Sequence, residues 1–296
     1  MVLTTTIDKY CHILFRRMPP FLGSKYLVFY SKMEKVQDRE LIEHPGVREC
    51  LKFMNIDEPL EINHAGDLPA RSGLGSSSAF TVGMLHACYA LLGKPVHQST
   101  LANEAIKIEK NILRENGGVQ DQIECALGGI NVLTFNRDET YTVQHIDIGD
   151  KARWFEQYLV LVYTDRDRLS SDISKLHKEG LKSKHDLIRE MMDLVPLGAK
   201  VLKTGTPVEL GELLHETWMM KRELSAKVSD PEIDAWYETA RHHGAIGGKI
   251  LGAGAGGFIL LCVPPDRRDD MLKAIGLQSI PVKFEHRGSH LVLNEQ

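Results

Sequence analysis

The sequence predicts a protein of the α+β class, and three observations support this prediction. Residues 60–63 have the composition of a strand, and residues 79–92 carry apolar side chains at helical spacing, among them Val82, Leu85 and Tyr89. A loop rich in glycine and serine lies between these two elements. The second half of the chain reads strand, three helices, two strands, helix and strand, an order that suits a sheet with helices on one face.

The remaining elements follow from local patterns. Residues 2–7 and 12–15 are rich in β-forming residues and are expected to pair as a hairpin or as neighbouring strands. The apolar run 158–163 predicts a buried strand, and we place a domain boundary just before it, near residue 155. Further helices are predicted at residues 45–53, 100–116, 122–126, 187–195, 208–225, 231–243 and 266–274, and further strands at residues 27–30, 130–135, 140–146, 249–251, 258–263, 282–285 and 290–293.

Composition excludes several classes of protein. A chain of 296 residues with 43% hydrophobic and 26% charged residues can bury a core in one large or two modest domains. The net charge of −4 gives no electrostatic case for a nucleic-acid partner or an anionic membrane. Neither the five scattered cysteines nor the 13 histidines have metal-site spacing. With no signal peptide and no apolar run of membrane length, the sequence predicts a cytoplasmic protein.

The glycine- and serine-rich segment is the strongest functional signal. A loop that leads into a helix can bind phosphate, because the first N–H groups of the helix lack intrahelical acceptors and carry partial positive charge. Glycine lets the backbone approach the anion closely. The alternative is a surface turn with a serine N-cap. The segment matches neither a Walker A loop nor a dinucleotide-binding Gly-x-Gly-x-x-Gly loop, which argues against a Rossmann dehydrogenase.

Two motifs together resemble the GHMP kinases, the superfamily of galactokinase, homoserine kinase and mevalonate kinase. Residues 69–78, Pro-Ala-Arg-Ser-Gly-Leu-Gly-Ser-Ser-Ser, are similar to the second family motif, P-x-x-x-G-L-G-S-S-[GSA]. Residues 249–258, which contain six small residues in a row, are similar to the third motif. The nearest likeness is to the kinases of D-glycero-D-manno-heptose 7-phosphate. It rests on residues 6–10, Thr-Ile-Asp-Lys-Tyr, on residues 119–122, Val-Gln-Asp-Gln, and on residues 214–225, 231–234 and 247–249.

The resemblance implies a fold and a reaction. The fold would have a ribosomal protein S5 domain 2-like N-terminal domain, residues 1–155, and a ferredoxin-like C-terminal domain, residues 156–296. ATP would lie between the loop at 69–79 and the second domain. The reaction would be phosphoryl transfer from ATP to a sugar hydroxyl. For the heptose relatives this is the anomeric hydroxyl of the heptose 7-phosphate, and the product is the 1,7-bisphosphate.

The resemblance also implies a set of nucleotide-binding residues. They are Pro69, Arg71, Ser72, Gly73, Leu74, Gly75, Ser76, Ser77, Ser78, Gly254 and Gly256. The loop that contains Gly254 and Gly256 is expected to pack against the loop at 69–79. Mg²⁺ would be held by Ser77 and Glu109, since this ion needs few protein oxygens beside those of water and phosphate.

Without the family resemblance, Glu109 would be interpreted as a solvated helix acid, which is the usual role of a glutamate on a helix. The residues three and four positions away, Ala105, Ile106, Ile112 and Leu113, are apolar and offer no ion-pair partner. An acid among apolar neighbours is less typical of a purely solvated position.

Asp121 and Lys9 are the candidate catalytic residues. In the family, the position of Asp121 carries an aspartate that orients or deprotonates the acceptor hydroxyl. The structural alternative is an acid in the first turn of a helix. Lys9 is a candidate for the cation that neutralises the transferring phosphoryl group.

Arg168 and Ser171 are candidates for binding the phosphate of the sugar, because arginine grips phosphate with two N–H groups. Relatives have the pattern Thr-Gly-x-x-Arg-x-[Ala/Ser]-Ser here, and Asp165 replaces the glycine. The alternative is an ordinary serine cap with a solvated arginine.

Three questions stay open at this stage. The first family motif, a strand followed by glycines, normally precedes the Thr-Ile-Asp-Lys-Tyr segment. We expect it to be absent here, either because the chain is a shortened form or because its true start lies upstream. One alternative to a heptose kinase is a GHMP kinase for another sugar, galactose-like or fucose-like; the other, which the absent motif suggests, is a catalytically impaired nucleotide-binding homologue. A homodimer is also left open.

Overall fold

The computed structural model of the chain describes residues 1–70, 72–166 and 184–294. These residues form two compact units, each assembled from separate parts of the chain. The first unit comprises the described residues of Met1–Asp8, Arg71–Leu74 and Gly129–Glu285, and the second those of Lys9–Ala70, Gly75–Gly128 and His286–Gln296. Neither unit is a continuous half of the chain, and the division at residue 155 stays a prediction.

The first unit contains two antiparallel sheets. One consists, from edge to edge, of β12 (Phe284–Glu285), β1 (Val2–Ile7), β6 (Ile130–Phe135) and β7 (Tyr141–His145). The other consists of β11 (Ser279–Pro281), β8 (Leu159–Tyr163), β10 (Phe258–Cys262) and β9 (Gly247–Ile250).

Most helices of the first unit pack on the sheet that contains β8, whereas the helix at residues 185–204 contacts β1 and the helix that follows it. The described helices are α5 (Lys151–Tyr158), α6 (His185–Thr204), α7 (Pro207–Leu224), α8 (Pro231–His242) and α9 (Pro265–Ile275). Two of these helices begin with side-chain caps. Thr206 and Glu209 form a capping box on α7, and the Asp230 side chain accepts hydrogen bonds from two backbone N–H groups of α8. The core joins Trp218, Ile233 and Tyr237 to strand residues such as Val160, Val162 and Leu261.

The second unit has one mixed sheet. It consists, in order, of β2 (Cys11–Arg17), β5 (Leu60–Gly66), β3 (Tyr26–Phe29) and β4 (Met33–Val36), and only β3 and β5 are parallel. The helices are α1 (Pro45–Phe53), α2 (Ser76–Leu91), α3 (Gln98–Lys107) and α4 (Gln120–Leu127). Helix α2 is apolar on most of its surface, which is typical of a helix buried in a core.

Several local expectations are wrong. Strands β1 and β2 do not pair: β1 pairs with β6 and β12, whereas β2 pairs with β5. Helix α6 continues through Pro196 to Thr204 instead of ending at residue 195, and Val201 and Leu202 beyond the proline are buried. Packing of this second half outweighs the hydrogen bond that proline removes.

The end of the chain also differs from the expectation, because residues 290–293 form no strand. This segment is instead tied to the second unit. The Ser289 N–H donates to the Ala126 carbonyl at 3.3 Å, and the Ser289 hydroxyl lies 2.8 Å from His86 Nδ1. Within the described ranges, no helix combines the length and the apolar composition needed to cross a membrane.

Candidate active site

The start of α2 provides a backbone anion site. Gly75 is the N-cap and adopts a left-handed conformation with φ +72°, as Gly73 does with φ +82°. A glycine has no side chain with which to cap the helix, so Gly75 itself satisfies none of the first-turn N–H groups, which begin at Ser76. No acidic residue occupies this turn. The element that the sequence predicted to bind phosphate therefore has the backbone geometry that phosphate binding requires.

Ser72 lies in the same loop and is buried, with 2% of its surface exposed. Its hydroxyl has no hydrogen-bond partner among the residues that the structure describes. Such a group is unfavourable unless something else satisfies it. A ligand at this loop would supply that partner.

The second glycine loop contacts the first through Ser72. A Cβ at Gly257 would lie 2.0 Å from the Ser72 carbonyl oxygen, so no other residue fits. Gly257 is held in turn by Thr164, whose N–H and hydroxyl both donate to the Gly257 carbonyl at 2.9 and 2.8 Å. This contact between the loops is the one that the resemblance implied.

A buried lysine fixes the beginning of the second glycine loop. Lys221, on α7, donates from Nζ to the carbonyls of Ile250 at 3.0 Å and Gly252 at 2.6 Å. On the other side of the loop, the Ala255 N–H donates to the Val228 carbonyl at 2.9 Å. Gly254 fits closely against Val228, since a Cβ at position 254 would lie 2.7 Å from that carbonyl oxygen.

Asp121 lies beside the start of α2. It occupies the first turn of α4, and a Cβ at Gly75 would lie 3.3 Å from Asp121 Cβ and 3.5 Å from its Oδ2. A carboxylate at the N-terminal end of a helix is favoured by the partial positive charge there. The structure thus brings the predicted catalytic acid next to the predicted phosphate site.

Glu109 lies in a π-helical segment, Ile108–Ile112, that directly follows α3. The sequence predicted a regular helix to residue 116, whereas π turns are rare and frequently occur at functional sites. Glu109 is buried, with 2% of its surface exposed, and its Oε2 accepts hydrogen bonds from Ser78 Oγ at 3.1 Å and from Gln122 Nε2. Burial raises the pKa of this carboxyl above its ordinary value, although the hydrogen bonds partly oppose the shift.

The second carboxylate oxygen of Glu109 is unsatisfied. Oε1 is buried and accepts no hydrogen bond from the described residues; the nearby Thr81 hydroxyl donates instead to the Ser77 carbonyl at 3.2 Å. A hard cation would complete such a site, and Mg²⁺ takes few protein oxygens. Among the described residues, no group of three or more His, Cys, Asp or Glu side chains forms a self-sufficient metal site. The donors present fit Mg²⁺ shared with a phosphate ligand.

Ser77 and Ser78, consecutive residues in the first turn of α2, occupy different environments. Ser78, which the sequence analysis placed with the nucleotide-binding residues, is buried and hydrogen-bonded to Glu109. Ser77, which it paired with Glu109 for Mg²⁺, has an exposed side chain on the first turn of α2. Its assignment as a ligand stays a proposal.

The other predicted site residues are placed as follows. Lys9 is half-buried in the connection between β1 and β2. Pro69 is exposed, and Gly73 and Leu74 are half-buried. Arg71, Arg168 and Ser171 lie outside the residues that the structure describes.

Sequence reasoning missed Gln122, the hydrogen-bond partner of Glu109, and Lys221, the partner of the second glycine loop. Both lie in segments that carried the family likeness, but no role was assigned to either. The signal that identifies them is burial of a polar side chain, with 2% of Gln122 and 9% of Lys221 exposed. That signal exists only in the folded chain.

Two protein-family models match the chain. The model described as GHMP kinases N terminal domain matches residues 43–129, and the model described as GHMP kinases C terminal matches residues 199–278. Together they cover more than half of the chain. They lie on opposite sides of residue 155.

Related proteins of known name include sugar kinases. The D-glycero-alpha-D-manno-heptose 7-phosphate kinase of Campylobacter jejuni is 32% identical over 213 residues, which are 71% of this chain and 62% of that protein. The bifunctional fucokinase/GDP-fucose pyrophosphorylase of Arabidopsis thaliana is 25% identical over 211 residues, 68% of this chain and 20% of that protein. The chain thus spans less than two thirds of the length of each of these relatives.

A solved structure has a similar fold. The crystal structure of a D-glycero-D-manno-heptose 1-phosphate kinase from Bacteroides thetaiotaomicron superimposes with a TM-score of 0.75. The match covers 97% of this chain and 88% of that one at 21% sequence identity. At this identity the likeness concerns the fold.

Proposed function

Because the chain belongs to the GHMP kinase family, we propose that it transfers the γ-phosphoryl group of ATP to a sugar hydroxyl. We propose as acceptor the anomeric hydroxyl of D-glycero-D-manno-heptose 7-phosphate, which would give the 1,7-bisphosphate and ADP. The observation that carries the reaction type is the position of Asp121 against Gly75, the glycine N-cap at the start of α2. The choice of acceptor rests on the 32% identity to a heptose 7-phosphate kinase.

Each residue of the site has a task in this reaction. The N–H groups at the start of α2 bind phosphate oxygens of ATP. The Ser72 hydroxyl is proposed for nucleotide binding from its place in the family motif, and it has no partner among the described residues. Asp121 accepts a hydrogen bond from the acceptor hydroxyl, orients its oxygen toward the γ-phosphorus and takes its proton as the new P–O bond forms. Lys9 is proposed to neutralise charge on the transferring group.

Ser77 and Glu109 would hold Mg²⁺, because both are oxygen donors near the start of α2 and Glu109 has an unsatisfied oxygen. When bound, the ion offsets negative charge on the β- and γ-phosphates. Hydrogen bonds from Ser78 and Gln122 hold the carboxylate of Glu109 in place.

We further propose that Arg168 and Ser171 bind the 7-phosphate of the sugar. This proposal comes from the family pattern and from the suitability of arginine for phosphate. It predicts that acceptors without this phosphate are poor substrates. We also place the protein in the cytoplasm, in agreement with its five free cysteines.

A panel of acceptors tests the proposed function. The purified chain is incubated with ATP, Mg²⁺ and either heptose 7-phosphate, unphosphorylated heptose, galactose or fucose, and ADP release is measured for each. We expect turnover with heptose 7-phosphate and little with the others. Preference for fucose would favour the second candidate, a kinase for another sugar, which the similarity to a fucokinase supports. ATP binding without turnover on any acceptor would contradict the proposal and favour a nucleotide-binding homologue.

A further inference from the structure

We propose that Gln122 is a positioning residue, which holds the Glu109 carboxylate in the orientation needed to bind a divalent cation. The inference rests on the proposed function, because it assumes that a metal–nucleotide complex binds beside Glu109. Gln122 itself is not proposed to touch the metal or the substrates.

The hydrogen bonds from Gln122 and Ser78 to Glu109 are both on the same carboxylate oxygen. Gln122 Nε2 and Ser78 Oγ both donate to Oε2, and Ser78 does so at 3.1 Å. Oε1 accepts no hydrogen bond from the described residues although it is buried. Two donors on a single oxygen fix the rotation of the carboxyl group and leave Oε1 as the oxygen available to a cation. Partners of this kind are the usual supports of metal-binding carboxylates.

Packing alone does not account for an amide at position 122. The Gln122 side chain is buried with 2% exposed, and its carbonyl oxygen has no hydrogen-bond partner in the described part of the chain. An apolar side chain of the same length would fill this space without an unsatisfied carbonyl, which is a destabilising feature. The hydrogen bond from the amide nitrogen to Glu109 explains why an amide occupies this position.

Helix α4 thereby positions two acids of the site. Asp121 and Gln122 are consecutive residues, so their side chains leave the helix in different directions. Asp121 lies against Gly75, whereas Gln122 reaches Glu109 on the π-helical segment. Asp121 and Gln122 both lie in the first turn of one rigid helix. This arrangement is suited to holding Asp121 and the carboxylate of Glu109 at a fixed distance and orientation.

The alternative is that Gln122 only ties α4 to the π-helical segment. The two roles differ in what a substitution changes. A structural tie affects the stability of the fold and all ligands equally. A positioning residue affects the affinity for the divalent cation, while nucleotide binding without metal is preserved.

The experiment measures Mn²⁺ binding by electron paramagnetic resonance in the presence of a non-hydrolysable ATP analogue. Wild type is compared with Gln122→Met, which keeps the length but removes the amide, and with Gln122→Asn, which keeps the amide but shortens its reach. Gln120→Met on the same turn is the matched control, because Gln120 is half-buried and is not bonded to Glu109. Binding of ADP without metal is measured for each variant by calorimetry.

We expect the dissociation constant for Mn²⁺ to rise about 10- to 100-fold in both Gln122 variants. Gln120→Met should keep the wild-type value, and the affinity for metal-free ADP should stay the same in every variant. If Gln122→Met fails to fold, Gln122→Asn carries the test.

Two results would overturn the inference. One is wild-type Mn²⁺ affinity in folded Gln122 variants; the other is an equal loss of Mn²⁺ and metal-free ADP binding, which a structural tie predicts. If wild type binds no Mn²⁺ with the nucleotide, the proposed function fails together with the inference. Unaltered Mn²⁺ binding in the variants, with binding in wild type intact, contradicts the inference alone.

Discussion

The Cα of Gly257 lies so close to the carbonyl oxygen of Ser72 that a Cβ at position 257 would be 2.0 Å from that oxygen. This contact joins Ser72 to the second glycine loop, and both belong to the first unit. It explains why a residue without a side chain is needed at a position where φ is +85°.

Substitution of Gly257 should therefore lower the free energy of unfolding more than substitution of a glycine whose only special feature is a positive φ. Gly276, at the end of α9, has φ +72° and nothing within 4 Å of its added Cβ, so it is the matched control. We expect Gly276→Ala to lower the free energy of unfolding by about 1–2 kcal/mol. Gly257→Ala adds a steric clash and should cost at least about 3 kcal/mol. Equal losses in urea unfolding would contradict the contact with Ser72.

Removal of the buried ammonium of Lys221 should loosen the second glycine loop. Lys221→Met leaves the carbonyls of Ile250 and Gly252 without their donor, and hydrogen bonds to charged groups contribute about 1.5–3 kcal/mol each. We expect a loss of about 3 kcal/mol in the free energy of unfolding. Lys227→Met, at an exposed position three residues beyond the end of α7, should change it by about 0.5 kcal/mol or less. A small, equal effect of both substitutions would show that Lys221 is not an anchor.

The strand, loop and helix of the proposed phosphate site could be predicted from the sequence, because their signals are local. Strand-forming residues indicate the strand, the glycines and serines after them indicate the loop, and apolar residues with a period of 3.6 indicate the helix. None of these signals depends on the rest of the fold. The structure has β5 and α2 at these places. The predicted helix at 45–53 coincides with α1, which has Pro45 in its first turn.

The pairing of strands could not be predicted in the same way. Strand β1 has its partners more than a hundred residues away, in β6 and β12. Nothing in residues 2–15 distinguishes that arrangement from a hairpin with β2.

The surroundings of Glu109 could not be predicted from the sequence either. Its partners Ser78 and Gln122 come from two other helices, and the π turn that carries Glu109 leaves no mark on apolar spacing. The sequence singled out Glu109 and Asp121 through the family, whereas their environment follows from tertiary packing.

Acid should weaken the fold through His44. Burial lowers the pKa of His44 below its ordinary 6.5, the nearby His64 lowers it further, and Glu34 opposes the shift. The neutral ring caps α1, since Nδ1 accepts the Val47 N–H at 3.3 Å. Between the lowered pKa and 6.5 the unfolded chain binds more protons, so stability rises with pH in this window and is lost as the pH falls through it.

His44→Asn keeps a capping oxygen and removes this titration. We expect its free energy of unfolding to fall less than that of wild type from about pH 7 to about pH 5. The slopes are compared, because loss of the ring contacts with Tyr30 and Phe80 lowers stability at every pH. His97→Asn, at the exposed N-cap of α3, controls for the substitution itself. A slope identical to wild type in His44→Asn would refute this prediction.

Asp165 should tolerate glycine but not a β-branched residue. It replaces the glycine of the family pattern and adopts φ +51°, in the left-handed region. Asp165→Gly should change the free energy of unfolding by about 0.5 kcal/mol or less, because the backbone strain it relieves is offset by greater freedom of the unfolded chain. Asp165→Val should cost about 1–2 kcal/mol. Equal stability of the two variants in urea unfolding would count against a left-handed residue here.

The most direct test of the central claim is the formation of an anomeric phosphate, followed by ³¹P nuclear magnetic resonance with ATP, Mg²⁺ and heptose 7-phosphate. Wild type should produce the 1,7-bisphosphate, and Asp121→Asn, which keeps the contact with Gly75, should be slower by at least about 100-fold. Asp147→Asn, an exposed acid that accepts the Gly149 N–H at 2.9 Å, should retain the wild-type rate. Wild-type turnover in Asp121→Asn, or no bisphosphate from wild type, would contradict the account.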